Sequence, residues 1–330
     1  MSGSSFARVG AAGALRIGWV MLAIVLSGQE ALAQLTYQQG QNVSPAFEGW
    51  EANEDGSFDL VFGYMNRNWW EELDVPVGPD NNISPGPADQ GQPTHLLPRR
   101  NRFVFKVRVP ADFGDQEMVW TLTTKGKTES AYGSLRIDYQ LDNIVIASET
   151  GALGIGRSDA ETRANTPPVL TVEGETVRHV GVGQPITIVA TIADDGLEKA
   201  IERSQAAAAR AAESESDEPP TLSRHQLRPP IRITVSKVVA LHLTWFVFRG
   251  EGTVTFDPPQ VKTWEDTRTG ANSPWAPMWV RPPVPADARW EVTVTFDRPG
   301  TYVLRGRADD GALYHDQDIT FIVRPITVPQ

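Results

Sequence analysis

The 330-residue chain is acidic, with a formal net charge of −11, and it contains no cysteine. The lack of cysteine excludes disulfides and a lipid-modified cysteine, and an acidic chain without a basic cluster argues against nucleic acid and anionic membranes as partners. Its 28 glycines and 25 prolines separate β-branched and aromatic runs, a composition typical of all-β proteins.

The N-terminus has the pattern of a secretory signal peptide. Arg8 and Arg16 supply the positive region, residues 17–26 are apolar, and Ala31-Leu32-Ala33 is a small-x-small cleavage site. We expect cleavage between Ala33 and Gln34 and export to the periplasm or the extracellular space. The apolar run is shorter than the ~20 residues a membrane span needs. The sequence therefore predicts no transmembrane segment after cleavage.

Residues 47–142, after a polar leader at 34–46, are predicted to form a first antiparallel β-sandwich. Alternation of apolar and polar residues predicts half-buried strands, here at 58–65, 103–109, 118–123 and 132–137. The proline- and glycine-rich stretch 78–98 is predicted to be a long loop. A linker at 143–166 has few apolar residues, so we expect the flanking domains to fold separately.

Residues 167–324 are predicted to form a second β-sandwich, followed by a tail at 325–330. Residues 290–323 contain three strands with the period-two pattern, and they are expected to run antiparallel and close the sandwich. Trp245 and Tyr302 are predicted core residues, with the Tyr302 hydroxyl bonded to nearby backbone. A helical insertion at 197–220 interrupts the strands, because LEKAIERSQAAAARAA strongly favours a helix.

Short motifs in the second domain carry a family resemblance. Gly183-Gln184-Pro185-Ile186-Thr187 precedes a strand that ends in Asp194-Asp195-Gly196, and Phe296-x-x-Pro299-Gly300-Thr301-Tyr302 leads to Asp309-Asp310-Gly311. With these motifs, residues 167–324 resemble the PKD-type, bacterial Ig-like β-sandwich of secreted and cell-surface proteins. The resemblance implies a seven-stranded domain used for spacing or adhesion, without catalytic residues. The first domain is similar in style to uncharacterised secreted bacterial proteins, which implies no function.

Tryptophans outside the strands are the candidate binding residues. Exposed aromatic side chains stack on sugar rings or anchor a protein partner, although they also cover the open ends of sandwiches. The candidates are Trp69, Trp70, Trp264, Trp275 and Trp279.

Two Asp-Asp-Gly turns form a candidate calcium site. Asp194, Asp195, Asp309 and Asp310 would converge if both turns lie at one end of the sandwich, and Ca²⁺ prefers carboxylate oxygens. The alternative is that Asp-Gly is simply favourable turn chemistry. No other cofactor is predicted.

Catalytic motifs are absent from the sequence. The five histidines show no metal-ligand spacing, and no HExxH, GxSxG or phosphate-loop motif is present. Glu71, Glu72 and Asp74 could serve as the paired carboxylates of a glycoside hydrolase, or they could form a solvated acidic strand end.

The sequence therefore predicts an all-β, exported chain of two Ig-like or PKD-like sandwiches in tandem. Its expected role is a non-catalytic binding or structural module of the cell envelope, acting on an envelope protein through its aromatic loops. A carbohydrate-binding protein and a glycoside hydrolase or its accessory subunit remain the alternatives. The three differ in what they require: an exposed aromatic patch, tryptophan faces flanked by polar groups, or two carboxylates across a cleft.

Overall fold

A computed structural model of the chain describes residues 38–149, 160–213, 241–263 and 282–325. The predicted signal peptide, the end of the helical insertion and the last five residues lie outside the described residues. Within the described part, no helix is both long enough and apolar enough to cross a membrane.

The N-terminal half, residues 38–149, consists of eight described strands and two short helical elements. The strands are β1 (Val43–Ala52), β2 (Phe58–Asn66), β3 (Leu73–Asp74), β4 (Asn81–Ser84), β5 (His95–Leu96), β6 (Arg99–Val109), β7 (Met118–Thr124) and β8 (Lys127–Gly133). A 3-10 helix (Ile137–Tyr139) and helix α1 (Asn143–Glu149) follow.

Two antiparallel sheets of this half share one hydrophobic core. One sheet has the order β1-β2-β6 and the other β4-β7-β8, while β3 and β5 form a separate ribbon. Phe62 of β2 stacks on Phe105 of β6, and both rings meet Trp120 of β7 edge to face. Trp120 is fully buried, so it joins the two sheets at the centre of the core.

The C-terminal half, residues 160–325, is also built mainly of strands. Its elements are α2 (Ala160–Ala164), β9 (Val169–Val172), β10 (Val177–Gly181), β11 (Ile186–Ala193), α3 (Leu197–Glu213), β12 (His242–Arg249), β13 (Val254–Asp257), β14 (Arg289–Phe296), β15 (Gly300–Asp309) and β16 (Tyr314–Arg324).

Two four-stranded sheets enclose the core of this half. Their orders are β10-β16-β15-β12 and β13-β14-β11-β9, and all pairs are antiparallel except β10 with β16. The predicted pairing of β14, β15 and β16 is correct for β15 with β16 only. β14 belongs to the opposite sheet, so the Pro299 turn carries the chain across the core rather than forming a hairpin.

Tyr302 and Trp245 occupy the core as predicted. Tyr302 is fully buried, and its hydroxyl donates to the carbonyl oxygen of Glu251 at 2.6 Å, with that of Arg298 at 3.2 Å. Trp245 packs against the backbone of Gly306, where a Cβ atom would lie 2.9 Å from the indole. Glycine at 306 therefore makes room for the tryptophan across the strand pair.

Four sequence predictions need correction. β1 begins at Val43, inside the predicted leader, and β8 ends at Gly133, so Ile137 belongs to the 3-10 helix rather than a strand. Residues 78–98 contain β4 and β5 instead of an uninterrupted loop. The predicted linker begins with α1. Its Ile146 and Ala147 are buried, and Ile146 packs in a small apolar cluster with Phe103 and Leu313.

The two halves contact each other along β6 and β15. Phe103 of β6 stacks on Tyr314 of β16 with ring centroids 6.0 Å apart, and Phe248 of β12 packs with the core of the N-terminal half. The composition of the predicted linker gave no indication of this interface. The apolar residues of this interface lie in the strands themselves, whereas the prediction considered only the linker.

Candidate functional site

The segment that follows β2 holds the first pair of candidate tryptophans, and buried amide side chains fix its path. Asn68 donates its backbone N–H to the Asn66 side-chain oxygen at 3.0 Å, and the Asn66 amide donates to the carbonyl oxygens of Glu71 and Leu96 at 2.9 and 3.2 Å. Both asparagines are fully buried. These buried hydrogen bonds therefore fix the chain reversal that contains Trp69 and Trp70.

The two tryptophans differ in what covers them. Trp69 is half-buried, and the Arg99 guanidinium lies 4.4 Å from its ring centroid. Trp70 is 64% exposed, with the Lys262 ammonium 5.4 Å from its ring centroid. Cations over an indole face are attracted by the ring's quadrupole. Trp70 is therefore the more accessible of the two, and it meets a cation from the other half of the chain.

A groove of about 270 Å³ lies beside Lys262 and is lined by both halves of the chain. The N-terminal half contributes Glu72, His95 and Leu97. The C-terminal half contributes apolar and polar side chains from β12, β13 and the segment after them, including Phe246, Val254, Phe256, Gln260, Lys262 and Thr263. We call Trp70 and this groove the composite groove, because neither half forms it alone.

His95 is the buried charged group of the composite groove. Its Nδ1 lies 2.7 Å from Asp74 Oδ1 and its Nε2 lies 3.0 Å from Glu72 Oε2. Burial lowers the pKa of His95, but the hydrogen bonds and charges of the two carboxylates outweigh burial and raise that pKa to about 9. At neutral pH the imidazolium donates to both carboxylates and joins β3 to β5.

The three carboxylates proposed for hydrolysis all have basic partners in the structure. Glu71 pairs with Lys125 at 2.6 Å and accepts the backbone N–H of Gly40, while Glu72 and Asp74 share His95. Burial raises the pKa of Glu71, but the Lys125 and Gly40 contacts outweigh it and lower that pKa. The described geometry thus shows these three groups as structural partners and does not place two of them across a cleft.

Trp264, Trp275 and Trp279 lie outside the described residues. The described chain reaches Thr263, a lining residue of the composite groove, and resumes at Pro282. Their role as binding residues stays a prediction.

The four aspartates of the proposed calcium site are close together but act as turn residues. Asn165 donates to Asp310 at 2.8 Å and the neighbouring Thr166 donates to Asp195 at 3.2 Å, so one segment bridges both turns. Asp194 accepts the backbone N–H of Gly196, and Asp309 accepts that of Gly311.

These turns do not offer a donor set suited to calcium. Among the described ranges, no three His, Asp or Glu side chains converge closely enough to hold a metal ion, whereas Ca²⁺ takes six or more oxygens. Burial raises the pKa of Asp194, and the charge of Asp310 raises it further. The described residues therefore favour turn chemistry at Asp194, Asp195, Asp309 and Asp310 over calcium binding.

Three buried polar residues, one of them in the composite groove, were missed at the level of sequence. Asn81 and Gln92 are fully buried in the stretch predicted to be a loop; the Asn81 amide donates to the carbonyl oxygens of Val75 and Pro93, and its oxygen accepts from Trp120. His95, which lines the composite groove, lies in the same stretch. A polar residue inside a proline-rich segment carries no periodic signal, so only the spacing of Asp74 and His95 on paired strands could have suggested the contact.

Comparisons with known proteins add little to this description. No protein-family model matches the sequence, and no curated protein matches it. Among solved structures, the chain is similar to titin domains Z1Z2 in complex with telethonin, with 8% identity, a TM-score of 0.22, and coverage of 86% of this chain and 98% of the other.

Two further solved structures show the same level of similarity. Domains 4 and 5 of the S-layer protein SbsC give 10% identity and a TM-score of 0.21, with coverage of 86% of this chain and 98% of the other. The D00-D0 domain of intimin gives 10% identity and a TM-score of 0.22, with coverage of 85% and 100%. At such TM-scores these likenesses carry no argument, so the fold rests on strand pairing and the cores described above.

Proposed function

We propose that the chain is an exported, non-catalytic module of the cell envelope, built from two Ig-like β-sandwiches in tandem. In this proposal it binds an envelope protein through the composite groove, and Trp264, Trp275 and Trp279, from the stretch that the sequence predicts to be an aromatic loop, add to the contact. Export rests on the signal-peptide pattern at residues 1–33. An exported form whose intact mass still included Met1 would contradict the predicted cleavage after Ala33.

The observation that carries the proposal is the exposure of Trp70 beside a groove formed by both halves. Large aromatic side chains left exposed next to a cavity commonly anchor a partner, and tryptophan is the side chain most enriched among binding hot spots. The three carboxylates near it have internal partners, which supports a binding role over a hydrolytic one.

A protein partner is favoured over a glycan by the cations on the two indoles. A sugar ring stacks on a free aromatic face, but Arg99 lies over Trp69 and Lys262 over Trp70. A partner side chain that is aromatic or acidic can contact Trp70 and Lys262 together. The observation that keeps the glycan alternative is that Glu72 and Gln260, both hydrogen-bonding groups, line the adjoining groove.

Capture of envelope proteins on the immobilised mature chain tests this function. Trp70→Ala should weaken capture of a specific protein at least about 30-fold if Trp70 is a hot spot, since hot-spot truncations cost 2 kcal/mol or more. Tyr132→Ala on β8 is the matched control, because Tyr132 is 59% exposed and lies outside the groove. Equal capture by both variants, or binding to a glycan array with no protein captured, would overturn the protein-binding proposal.

A further inference from the structure

The outer edge of β6 in the N-terminal half is closed by side chains from the C-terminal half. β6 lies at the edge of the β1-β2-β6 sheet, and edge strands expose unpaired backbone groups. Arg307 of β15 donates to the carbonyl oxygen of Phe103 at 2.7 Å, and Arg305 donates to that of Val104. Both acceptors are main-chain atoms, so the contact depends on the position of β6 and not on its side chains.

Two aspartates of β16 hold these arginines in place. Arg307 forms a two-pronged pair with Asp316 at 2.8 and 2.7 Å, and Arg305 forms one with Asp318 at 2.7 and 2.8 Å. Both arginine side chains are 12% exposed. Bidentate pairing fixes the plane of a guanidinium, so the remaining N–H groups point at β6. We call Arg305, Arg307, Asp316 and Asp318 the arginine latch.

Two aromatic rings of the C-terminal half pack on the arginines of the latch. The Arg305 guanidinium carbon lies 3.6 Å from the centroid of Phe248, and that of Arg307 lies 4.2 Å from the centroid of Tyr314. Burial lowers the pKa of Arg307, but Asp316 outweighs burial and raises it, so the charge is retained in this setting. The two arginines are therefore largely buried and packed, whereas Asp318 is 40% exposed.

A second contact ties the end of β12 to the loop before β5. Arg249 pairs with both oxygens of Asp89 at 2.9 and 2.7 Å, and its Nε donates to the carbonyl oxygen of Gln92 at 2.8 Å. The backbone N–H of Thr94 donates to the carbonyl oxygen of Phe248 at 3.1 Å. This contact lies next to His95 and so adjoins the composite groove.

We propose that the arginine latch and the Arg249–Asp89 pair join the two halves into one stiff, cooperatively unfolding unit, and that this union assembles the composite groove. The geometry supports it because both latch arginines are largely buried, donate to backbone acceptors and adjoin apolar packing between the halves. The first part of the inference is independent of the binding role; only the statement about the groove rests on the proposed function.

Unfolding of the full mature chain, followed by calorimetry and tryptophan fluorescence, tests the latch. We expect one transition in which the calorimetric and van 't Hoff enthalpies agree. Arg307→Lys keeps the charge but loses the fork of donors, and it should split that transition into two separated by about 5 °C or more.

A matched control and a milder variant accompany Arg307→Lys. Arg289→Lys is the control, since Arg289 on β14 makes exposed pairs with Glu173 and Glu291 outside the junction. Arg249→Lys changes the peripheral contact and serves if Arg307→Lys does not fold. Arg249→Lys should increase the radius of gyration and broaden the unfolding transition more than Arg289→Lys does.

Two independent transitions in the unaltered chain would overturn the proposal. So would junction variants that behave like Arg289→Lys. A capture experiment with Arg249→Lys tests the statement about the groove separately. If the union of the two halves assembles the composite groove, Arg249→Lys should weaken capture of the protein that the unaltered chain captures. Failure of the unaltered chain to capture any protein contradicts the proposed function but leaves the unfolding result valid.

Discussion

At the scale of single residues, the C-terminal half follows its sequence pattern more closely than the N-terminal half does. Tyr302 and Trp245 could be predicted because apolar alternation and a Pro-Gly corner place a large aromatic residue on the inner face of a strand. Asn81, Gln92 and His95 could not, because their positions depend on partners brought near by the fold. Buried polar groups need such partners to offset the cost of desolvation, and no local pattern reveals them.

Truncation of the core aromatic residues should be costly. Trp245→Ala should lower the free energy of unfolding by about 3–5 kcal/mol, because it leaves a large cavity against Gly306. Tyr302→Phe should cost about 1 kcal/mol, because the ring stays while the hydrogen bond to Glu251 is lost. Urea denaturation measures both. A Trp245→Ala loss below 1 kcal/mol would show that the indole is not a core element.

The raised pKa of His95 predicts a pH dependence of stability. The pKa of His95 is about 9 in the folded chain, against an ordinary histidine pKa of 6.5, so the stabilising contribution of its charge is fully present below pH 6.5 and is lost as the pH rises through about 9. This shift corresponds to an effect on the order of 3 kcal/mol. Urea denaturation between pH 6 and 9.5 should show the decline.

His95→Gln is the variant that isolates this titration, since glutamine cannot take up a proton. His95→Gln should be less stable than the unaltered chain at pH 6 and should show a flatter profile across the same range. His179→Gln, at an exposed position of β10, is the control and should keep the decline. Parallel profiles for the unaltered chain and His95→Gln would contradict the assignment.

At the scale of elements, the long amphipathic strands were predictable and the irregular ones were not. β2, β6, β7 and β15 have clear period-two patterns, and the structure contains them with small boundary shifts. β1 was missed because Pro45 and Gly49 interrupt its pattern; the strand has a bulge there, and a Cβ at Gly49 would lie 2.3 Å from the carbonyl oxygen of Tyr139. β4 and β5 are too short to show a period.

The helix predicted within the insertion is present, but its first turn does more than the sequence suggested. Ala200 is buried, and Leu197 and Ile201 pack against the core of the C-terminal half. The double variant Leu197→Ser with Ile201→Ser should therefore cost about 2 kcal/mol, roughly one per partly buried side chain. Ala207→Ser, at an exposed position farther along the helix, should cost less than about 0.5 kcal/mol.

Urea denaturation of these helix variants tests whether the first turn of α3 packs on the core of the C-terminal half. If the double variant were as stable as Ala207→Ser, the first turn of the helix would not be part of the core. The expected difference would show that the helix packs on the core at Leu197 and Ile201.

At the scale of the whole molecule, the sequence indicated two β-rich halves but not their union. Linker composition was the basis for expecting independence, whereas the contacts come from β6, β12, β15 and β16. Arg305 and Arg307 alternate with Leu304 and Gly306, which fits a solvent-exposed strand face as well as it fits a buried latch. Tertiary partners such as the Val104 carbonyl decide between these, and an unaligned sequence does not contain them.

Exchanging the charges of the Arg249–Asp89 pair tests the union directly. Asp89→Arg alone places two cations together and Arg249→Asp alone places two carboxylates together, so each should loosen the junction. The double exchange restores opposite charges and should recover part of the loss, with a coupling energy of about 1 kcal/mol, because Asp89 is about half exposed. Full recovery is not expected, since Arg249 also donates to the Gln92 carbonyl.

Denaturation in low and high salt measures the coupling energy between Asp89 and Arg249, which should shrink as salt screens the pair. Additive single effects, with no recovery in the double exchange, would mean that this pair does not connect the two halves.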